Sequence, residues 1–247
     1  LTAWLAAGAA GPVDVDDVEY TLHLGRREFG HRRTAVVDVA AGTAGVSWTV
    51  ARPPAEAPGP VVFGVPDQAP TAGACAELAR CEPAFRSAMA ECATLLGERH
   101  GIDLDLAEGA PTGAAPAVVA FAGWYAMIRL WRHWGVTPTA VTATTAGTTW
   151  TEVWRAAADA GTGGTDLASA LARVLALPQA NATETNATET NAAGANGDRP
   201  AGASAGVADP AVLIDLGACL DGAGLAAALA AVWAAGVAVD WAAYHAG

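Results

Sequence analysis

Apolar residues recur every three to four positions along several stretches of the chain, which is the period of an amphipathic helix. The clearest case is the run 117–134, where Phe121, Trp124, Ile128 and Trp131 fall at helical spacing. Such spacing places large side chains on one face, so the run predicts a helix that packs this face against a core.

The same reasoning predicts further helices and several short strands. Strands are expected where β-branched residues alternate or cluster between Gly and Pro. The predicted helices are 2–10, a segment through Tyr20 and Leu24, 74–96 with a break at Pro83, 150–160, 166–177 and 225–235. The predicted strands are 35–39, 47–51, 61–63, 139–142 and 210–215. Repeated succession of strand, turn and helix predicts an α/β fold.

Changes in composition divide the chain into four segments. Residues 1–52 predict a small α+β unit, and a proline-rich connector then opens the main α/β unit at 53–177. Residues 178–207 contain a tandem Asn-Ala-Thr-Glu-Thr repeat and few large apolar side chains, so we expect disorder there. Residues 208–247 return to a strand followed by a helix.

Charge and cysteine content narrow the classes of function. The net charge is −12, with 13 arginines and no lysine, which argues against binding to nucleic acid or to an anionic membrane. The lysine-free composition is typical of a high-GC genome such as that of an actinobacterium. With no basic stretch before an apolar run at the start, we expect a cytoplasmic protein. The four cysteines lack metal-site spacing and predict buried free thiols, and no cofactor or metal is expected: Cys75, Cys81, Cys92 and Cys219.

Short motifs occur in three parts of the chain. The run 20–32 reads YTLHLGRREFGHR. The middle part contains EPAFR at 82–86 and YAMIRLWRHWGVTP at 125–138. The run 236–241 reads GVAVDW.

These motifs resemble, in the same order, parts of type I modular polyketide synthases. The first is similar to the linker between the ketosynthase and acyltransferase domains. The middle motifs resemble the acyltransferase domain before its active site, and the last resembles its close and the following linker. The resemblance implies an α/β-hydrolase-like large subdomain whose small ferredoxin-like subdomain is missing, with 178–207 lying across the gap.

An acyltransferase of this class requires a G-H-S-x-G turn that presents a serine nucleophile. The corresponding residues 143–147 read ATTAG, so Thr145 stands at the nucleophile position, Thr144 precedes it and only Gly147 is retained. The branched side chain of threonine is stiff at χ1 and crowds the attacking oxygen. In the oxyanion loop, only Gln68 is retained, while Asp67 would oppose a developing negative charge.

No catalytic base can be assigned from the sequence. Residues 155–210 contain no histidine, although the family places its base in that part of the domain. The histidines elsewhere do not match the motif, and we expect His31 and Arg32 to fix the first unit against its neighbour. The acidic residues Asp103, Asp105 and Glu108 are interpreted as a solvated turn.

The sequence therefore favours a non-catalytic, acyltransferase-like structural or docking region in antibiotic biosynthesis. The resemblance implies flanking ketosynthase and acyl carrier protein domains, a separately supplied acyltransferase and a homodimeric parent. One alternative is a degenerate but active acyltransferase that transfers a malonyl-type extender through Thr145. Another is a decayed region with no role beyond remaining folded.

Overall fold

The computed structural model describes residues 14–26, 31–37, 47–48, 58–66, 70–104, 115–143, 151–177 and 211–246. The predicted helix at 2–10 and the repeat segment at 178–207 lie outside these residues.

The first unit begins with helix α1, Val15–Leu24, whose N-cap Asp14 accepts a hydrogen bond from the amide of Asp16 at 3.0 Å. Strands β1 (Ala35–Val36) and β2 (Ser47–Trp48) follow and pair antiparallel, as the alternating pattern predicts. This two-stranded sheet packs against a helix from the C-terminal part of the chain rather than standing alone.

From residue 58 onward, strands and helices alternate, which confirms the predicted α/β class. In chain order the elements are β3 Val61–Val65, α2 Ala72–Cys81, α3 Pro83–His100, α4 Pro116–His133, β4 Ala140–Ala143, α5 Thr151–Thr162, α6 Leu167–Leu175, β5 Val212–Asp215, a 3-10 turn Ala218–Leu220, α7 Gly222–Ala234 and α8 Trp241–Tyr244. The helices predicted within this range are confirmed to within a few residues at their ends.

The main sheet is parallel, with β3 between β4 and β5. Val65 pairs with Ala143 on one side, and Gly64 pairs with Asp215 on the other. Helices cover a parallel sheet on its faces, so its central strand is apolar throughout. Phe63 and Val65 in β3 are fully buried.

Helix α4 is buried on every side rather than on one face. Every residue from Ala120 to Ile128 is buried, because α4 lies between α3 and the pair α5 and α6. A helix that is apolar all round belongs in the centre of a core. The sequence spacing correctly predicted the helix. It also predicted burial of one face only, whereas the structure buries all faces of the middle of the helix.

Two glycines allow close approaches to α4. A Cβ atom on Gly123 of α4 would lie 2.9 Å from Cγ of Pro70, which is buried. A Cβ atom on Gly161 of α5 would lie 2.7 Å from Cγ2 and 2.9 Å from Cβ of Ile128 in α4. Because Ile128 branches at Cβ, it cannot move aside without shifting its backbone.

The cysteines are free, but only three are buried: Cys75, Cys92 and Cys219. Burial raises the pKa of the Cys75 thiol to about 11. Cys81 is exposed, because it ends α2 on the solvent side, so the prediction of a buried thiol is wrong there. In the part of the chain that the structure describes, no helix combines the length and apolar character needed to cross a bilayer.

We predict opposite effects for alanine at two helical glycines. Gly97→Ala in α3 meets no atom within 4 Å, so higher helix propensity should stabilise the fold by about 0.5–1 kcal/mol. Gly161→Ala should destabilise it by about 1–3 kcal/mol through overpacking against Ile128. Urea unfolding measures both free energies, and a stabilising Gly161→Ala would contradict the close packing of α4 and α5.

Candidate functional site

The two segments that the sequence analysis assigns to catalysis come directly after the neighbouring strands β3 and β4. Gln68 comes three residues after Val65, and Thr145 comes two residues after Ala143. Because Val65 and Ala143 are paired in a parallel sheet, both segments leave the sheet at its carboxyl edge. This is the edge at which α/β sheets bind ligands. The predicted site residues themselves lie outside the described part of the chain: Gln68, Thr144, Thr145 and Gly147.

Prolines with close neighbours lie on both sides of the Gln68 segment. Pro66 lies close to Gly217, since a Cβ atom added to Gly217 would be 2.9 Å from Cγ of Pro66. The amide of Gly217 donates to Oδ1 of Asp215 at 2.9 Å. Pro70 packs on Gly123 and has no amide hydrogen. Pro70 therefore serves as a packing residue and cannot supply a backbone donor to an oxyanion.

The histidines do not form a nucleophile–base pair with a described serine. Two of them contact each other across the chain, with Nδ1 of His23 3.0 Å from Nε2 of His245. The other three are exposed: His31, His100 and His133. Within the described ranges, no three His, Cys, Asp or Glu side chains are arranged to hold a metal ion. For the acidic turn, only Asp103 lies in the described part.

A pocket of about 410 Å³ lies between the start of α3, the end of α4 and α8. It is near the amino edge of the sheet, because the turn after α4 returns to the start of β3, where the amide and Oγ1 of Thr139 both donate to the carbonyl of Val61. The five residues of β3 span about 15 Å, so this pocket and the carboxyl ends of β3 and β4 lie at opposite edges of the sheet. Ser87 and His133 line the pocket, but no hydrogen bond joins them.

Two glutamates of this pocket have different environments. Glu91 accepts a hydrogen bond from the hydroxyl of Tyr125 at 2.9 Å, and Arg129 donates to the same hydroxyl at 3.0 Å. Nη1 of Arg129 is also 4.0 Å from Oε2 of Glu91. Glu82 is half-buried, and desolvation raises its carboxyl pKa to about 7. A raised value of this kind marks a carboxylate that lacks a compensating charge.

The first unit is joined to the C-terminal part by Arg32. Its Nη1 donates to the carbonyl of Trp233 at 2.8 Å, and its guanidinium carbon lies 4.9 Å from the centroid of the Trp233 ring. Arg32 therefore does fix the first unit to its neighbour, as predicted. His31 is exposed and does not share this role.

A second contact between these parts involves His23 of α1. Its ring stacks on Trp241 of α8, with centroids 3.7 Å apart and planes at 16°. One turn earlier, Glu19 accepts a hydrogen bond from the hydroxyl of Tyr244 at 3.1 Å. Burial, and then the neighbouring His245, lower the pKa of His23 to about 4. Sequence reasoning missed this pair, because no local spacing relates residues 222 positions apart.

The closing motif also binds the turn after α4. The amide of Asp240 donates to the carbonyl of Trp134 at 2.8 Å. Gly135 has φ of 78°, and a Cβ atom on it would lie 3.4 Å from Asp240. Residues from the runs 20–32, 125–138 and 236–241 thus meet at one place, which we call the linker junction.

Comparisons with known proteins agree with this arrangement. No family model matches the sequence. Polyketide synthase GfsE of Streptomyces halstedii is 34% identical over 156 residues, covering 54% of this chain. The pikromycin polyketide synthase component PikAII of Streptomyces venezuelae is 35% identical over 153 residues, or 57% of this chain. The chain spans 4% of the length of each of these relatives.

Solved acyltransferase domains have the same fold. The acyltransferase domain of ZmaA matches with a TM-score of 0.53 at 22% identity, covering 71% of this chain and 42% of that domain. The acyltransferase domain of SpnD was solved as a complex with 2-(pent-4-yn-1-yl)malonyl. It matches with a TM-score of 0.51 at 24% identity, covering 70% of this chain and 44% of that domain. The acyltransferase domain from module 8 of the salinomycin polyketide synthase matches with a TM-score of 0.50 at 26% identity, covering 69% of this chain and 43% of that domain.

Fold and similarity together define an acyltransferase-like α/β region. The chain is related to polyketide synthase components, and it resembles a truncated acyltransferase domain of a modular polyketide synthase. The resemblance inferred from the motifs is confirmed at this level.

The contact between His23 and His245 predicts a pH-dependent stability. The unfolded state binds a proton at His23 near the ordinary pKa of 6.5, whereas the folded state does so only near 4. Stability from this group is therefore complete above 6.5 and is lost as the pH falls towards 4. We expect a loss of ~1 kcal/mol, since the half-exposed ring is partly screened.

Urea unfolding between pH 7.5 and 4.5 measures this loss. His23→Phe keeps an aromatic ring over Trp241 but removes the titration, and His23→Gln removes both. Both variants should show a shallower pH dependence than the natural chain. Parallel curves for all three proteins would contradict the contribution of His23.

Proposed function

We propose that this chain is a non-catalytic, acyltransferase-like structural region of a modular polyketide synthase. The observation that carries the proposal is a contrast between two parts of one chain. The linker junction is built from side-chain and backbone contacts through Arg32, His23 and Asp240. The segments that follow the paired strand ends lack the serine, the histidine and the first glycine that the chemistry needs, although Gly147 is retained.

The sequence at residue 145 supports the absence of catalysis. An activated nucleophile needs an adjacent base and a turn that exposes its oxygen. Thr144 and Thr145 replace the histidine and serine of the family pattern, and Ala143 adds a Cβ atom where that pattern has glycine. Each change alone weakens the site, and together they remove both the nucleophile and its presentation.

The proposed organisation has four segments. Residues 1–52 form the ketosynthase–acyltransferase linker, and 53–177 form the degenerate large subdomain. Residues 178–207 are the insert, and 208–247 supply the last strand, helix and closing linker. Support comes from β5, which pairs with β3 although 178–207 separates it from the preceding helices.

The proposed partners are the neighbouring ketosynthase and carrier protein domains of a homodimeric parent, together with an acyltransferase supplied in trans. Three apolar side chains on α1 are at least two-fifths exposed and are available for such contacts: Tyr20, Leu22 and Leu24. A scaffold needs only folded surfaces of this kind and does not need a working active site.

Labelling with radioactive malonyl-CoA tests for catalysis. We expect no stable label on the natural chain above background, because the nucleophile and its base are missing. Thr145→Ser should remain unlabelled, since a serine without a base is not activated. An intact acyltransferase domain is the positive control. Label on the natural chain that disappears in Thr145→Ala would establish the alternative, a degenerate enzyme.

A pull-down with the discrete acyltransferase of the same organism tests docking. We expect retention at micromolar concentrations, weakened at least fivefold by the double change Leu22→Asp and Leu24→Asp on α1. Leu213→Asp is the matched control, because Leu213 is a similarly exposed leucine on β5. If the natural chain is not retained, or the control weakens retention equally, the docking role of α1 is wrong.

A further inference from the structure

The pocket at the amino edge is built by three separate elements. Residues 82–88 form one wall at the start of α3, the end of α4 forms a second, and α8 with the residues after it forms the third. Its volume of about 410 Å³ exceeds the size of a single side chain and is large enough for a small ligand. It lies beside the linker junction, because Trp134 and Tyr244 line it.

The charges around this pocket are not balanced. Arg129 is committed to Tyr125 and lies near Glu91. Glu82 accepts no side-chain cap hydrogen bond at the start of α3, and no described arginine or histidine lies within ion-pair distance of it. Glu82 thus presents a half-buried carboxylate without a cation.

Two further carboxylates, Glu19 and Asp16, act on Tyr244, which lines the pocket. The pKa of the Tyr244 hydroxyl is raised by burial and then by Glu19, with smaller contributions from Glu82 and Asp16. The hydroxyl donates its proton to Glu19, so it cannot also donate to Glu82. His133, which is exposed, and Arg129 lie on the α4 wall. On the α8 side the pocket is lined by Ala243, Tyr244 and Ala246, none of which is a cation that could pair with Glu82.

Apart from Ser87, the uncharged lining of the α3 and α4 walls is apolar. Pro83, Ala84 and Ala88 cover the α3 wall, and the buried indole of Trp134 covers part of the α4 wall. Long cationic side chains place methylene groups along such surfaces while the charged end meets a carboxylate. A flat guanidinium group also binds a carboxylate through two parallel hydrogen bonds.

We propose that this pocket binds a guanidinium or alkylammonium group, with the cation paired to Glu82 and its carbon stem along Pro83, Ala88 and Trp134. The group belongs either to a small amine or to an arginine or lysine side chain of a partner. A bound cation supplies the charge that Glu82 lacks, so binding and ionisation of Glu82 favour each other.

Binding should consequently depend on pH in one direction. With a carboxyl pKa of about 7, Glu82 is largely protonated at pH 6 and largely ionised at pH 8. The affinity for a cation should rise about tenfold over this range. His133 and Arg129 face the pocket from α4 and Glu91 faces it from α3, while Glu19 and Asp16 act on Tyr244 of α8. Because His133 also lines the pocket, the Glu82→Gln variant is needed to assign the pH dependence to Glu82.

Chemical-shift titration of the full chain with n-butylguanidinium at pH 8 tests the proposal. We expect saturable binding of one ligand, with shifts at the Trp134 indole and at Tyr244, and at least tenfold weaker binding by Glu82→Gln. Glu98→Gln is the matched control, because Glu98 is an exposed glutamate near the other end of α3. Glu82→Gln should fold at least as stably as the natural chain at pH 8, since it removes a desolvated charge.

Two further ligands complete the titration: n-butanol tests whether the cation is required, and a peptide tests the source of the cation. n-Butanol should not bind, because it lacks the cation. A short peptide with one central arginine binds as tightly as n-butylguanidinium if the pocket receives a partner's side chain, and more weakly if it receives a free amine. Non-saturable shifts, or equal affinity of the natural chain and Glu82→Gln, would overturn the proposal.

Discussion

The fold depends on a single constraint, namely that the middle of α4, residues 120–128, is enclosed on all sides. The ring centroids of Phe63 in the central strand and Trp131 in α4 are 6.1 Å apart. Gly161, which has no side chain, lets α5 approach Ile128 of α4. Arg132 donates to the carbonyl of Gly161 at 2.7 Å, which fixes the two helices in register. Interiors are packed as densely as organic crystals, so a helix surrounded in this way leaves little freedom to its neighbours. The position of its last turn then determines where the closing segment binds.

As a consequence, the two edges of the sheet have different requirements: contacts between segments at the amino edge and catalytic geometry at the carboxyl edge. At the amino edge, the end of α4 receives Asp240, and the first unit is attached nearby through Arg32 and His23. These contacts require packing and a few hydrogen bonds. At the carboxyl edge, catalysis would require a strained turn, an activated hydroxyl and preorganised donors together. Loss of any of these abolishes chemistry without disturbing the packing of α4, so the fold can persist without the activity.

The sequence was informative about the site in an uneven way. It predicted that the segments after β3 and β4 carry replaced catalytic residues, and those residues lie outside the described part of the chain. It also anticipated the role of Arg32. It gave no sign of the pocket beside Glu82, because that residue lies in the EPAFR motif and looked like part of an ordinary helix start. Its unusual environment results from residues of α4 and α8 that are distant in the chain.

The sequence by itself determined the helices and strands, their order, the α/β class and the likeness to polyketide synthases. These follow from local periodicity, from Gly and Pro at element ends, and from short motifs that survive within one stretch of chain. Only the tertiary structure decided that the middle of α4 is buried all round, that His23 contacts His245, and that no described arginine or histidine lies within ion-pair distance of Glu82. These properties depend on burial and distance between residues far apart in sequence, and desolvation has no local pattern from which it can be read.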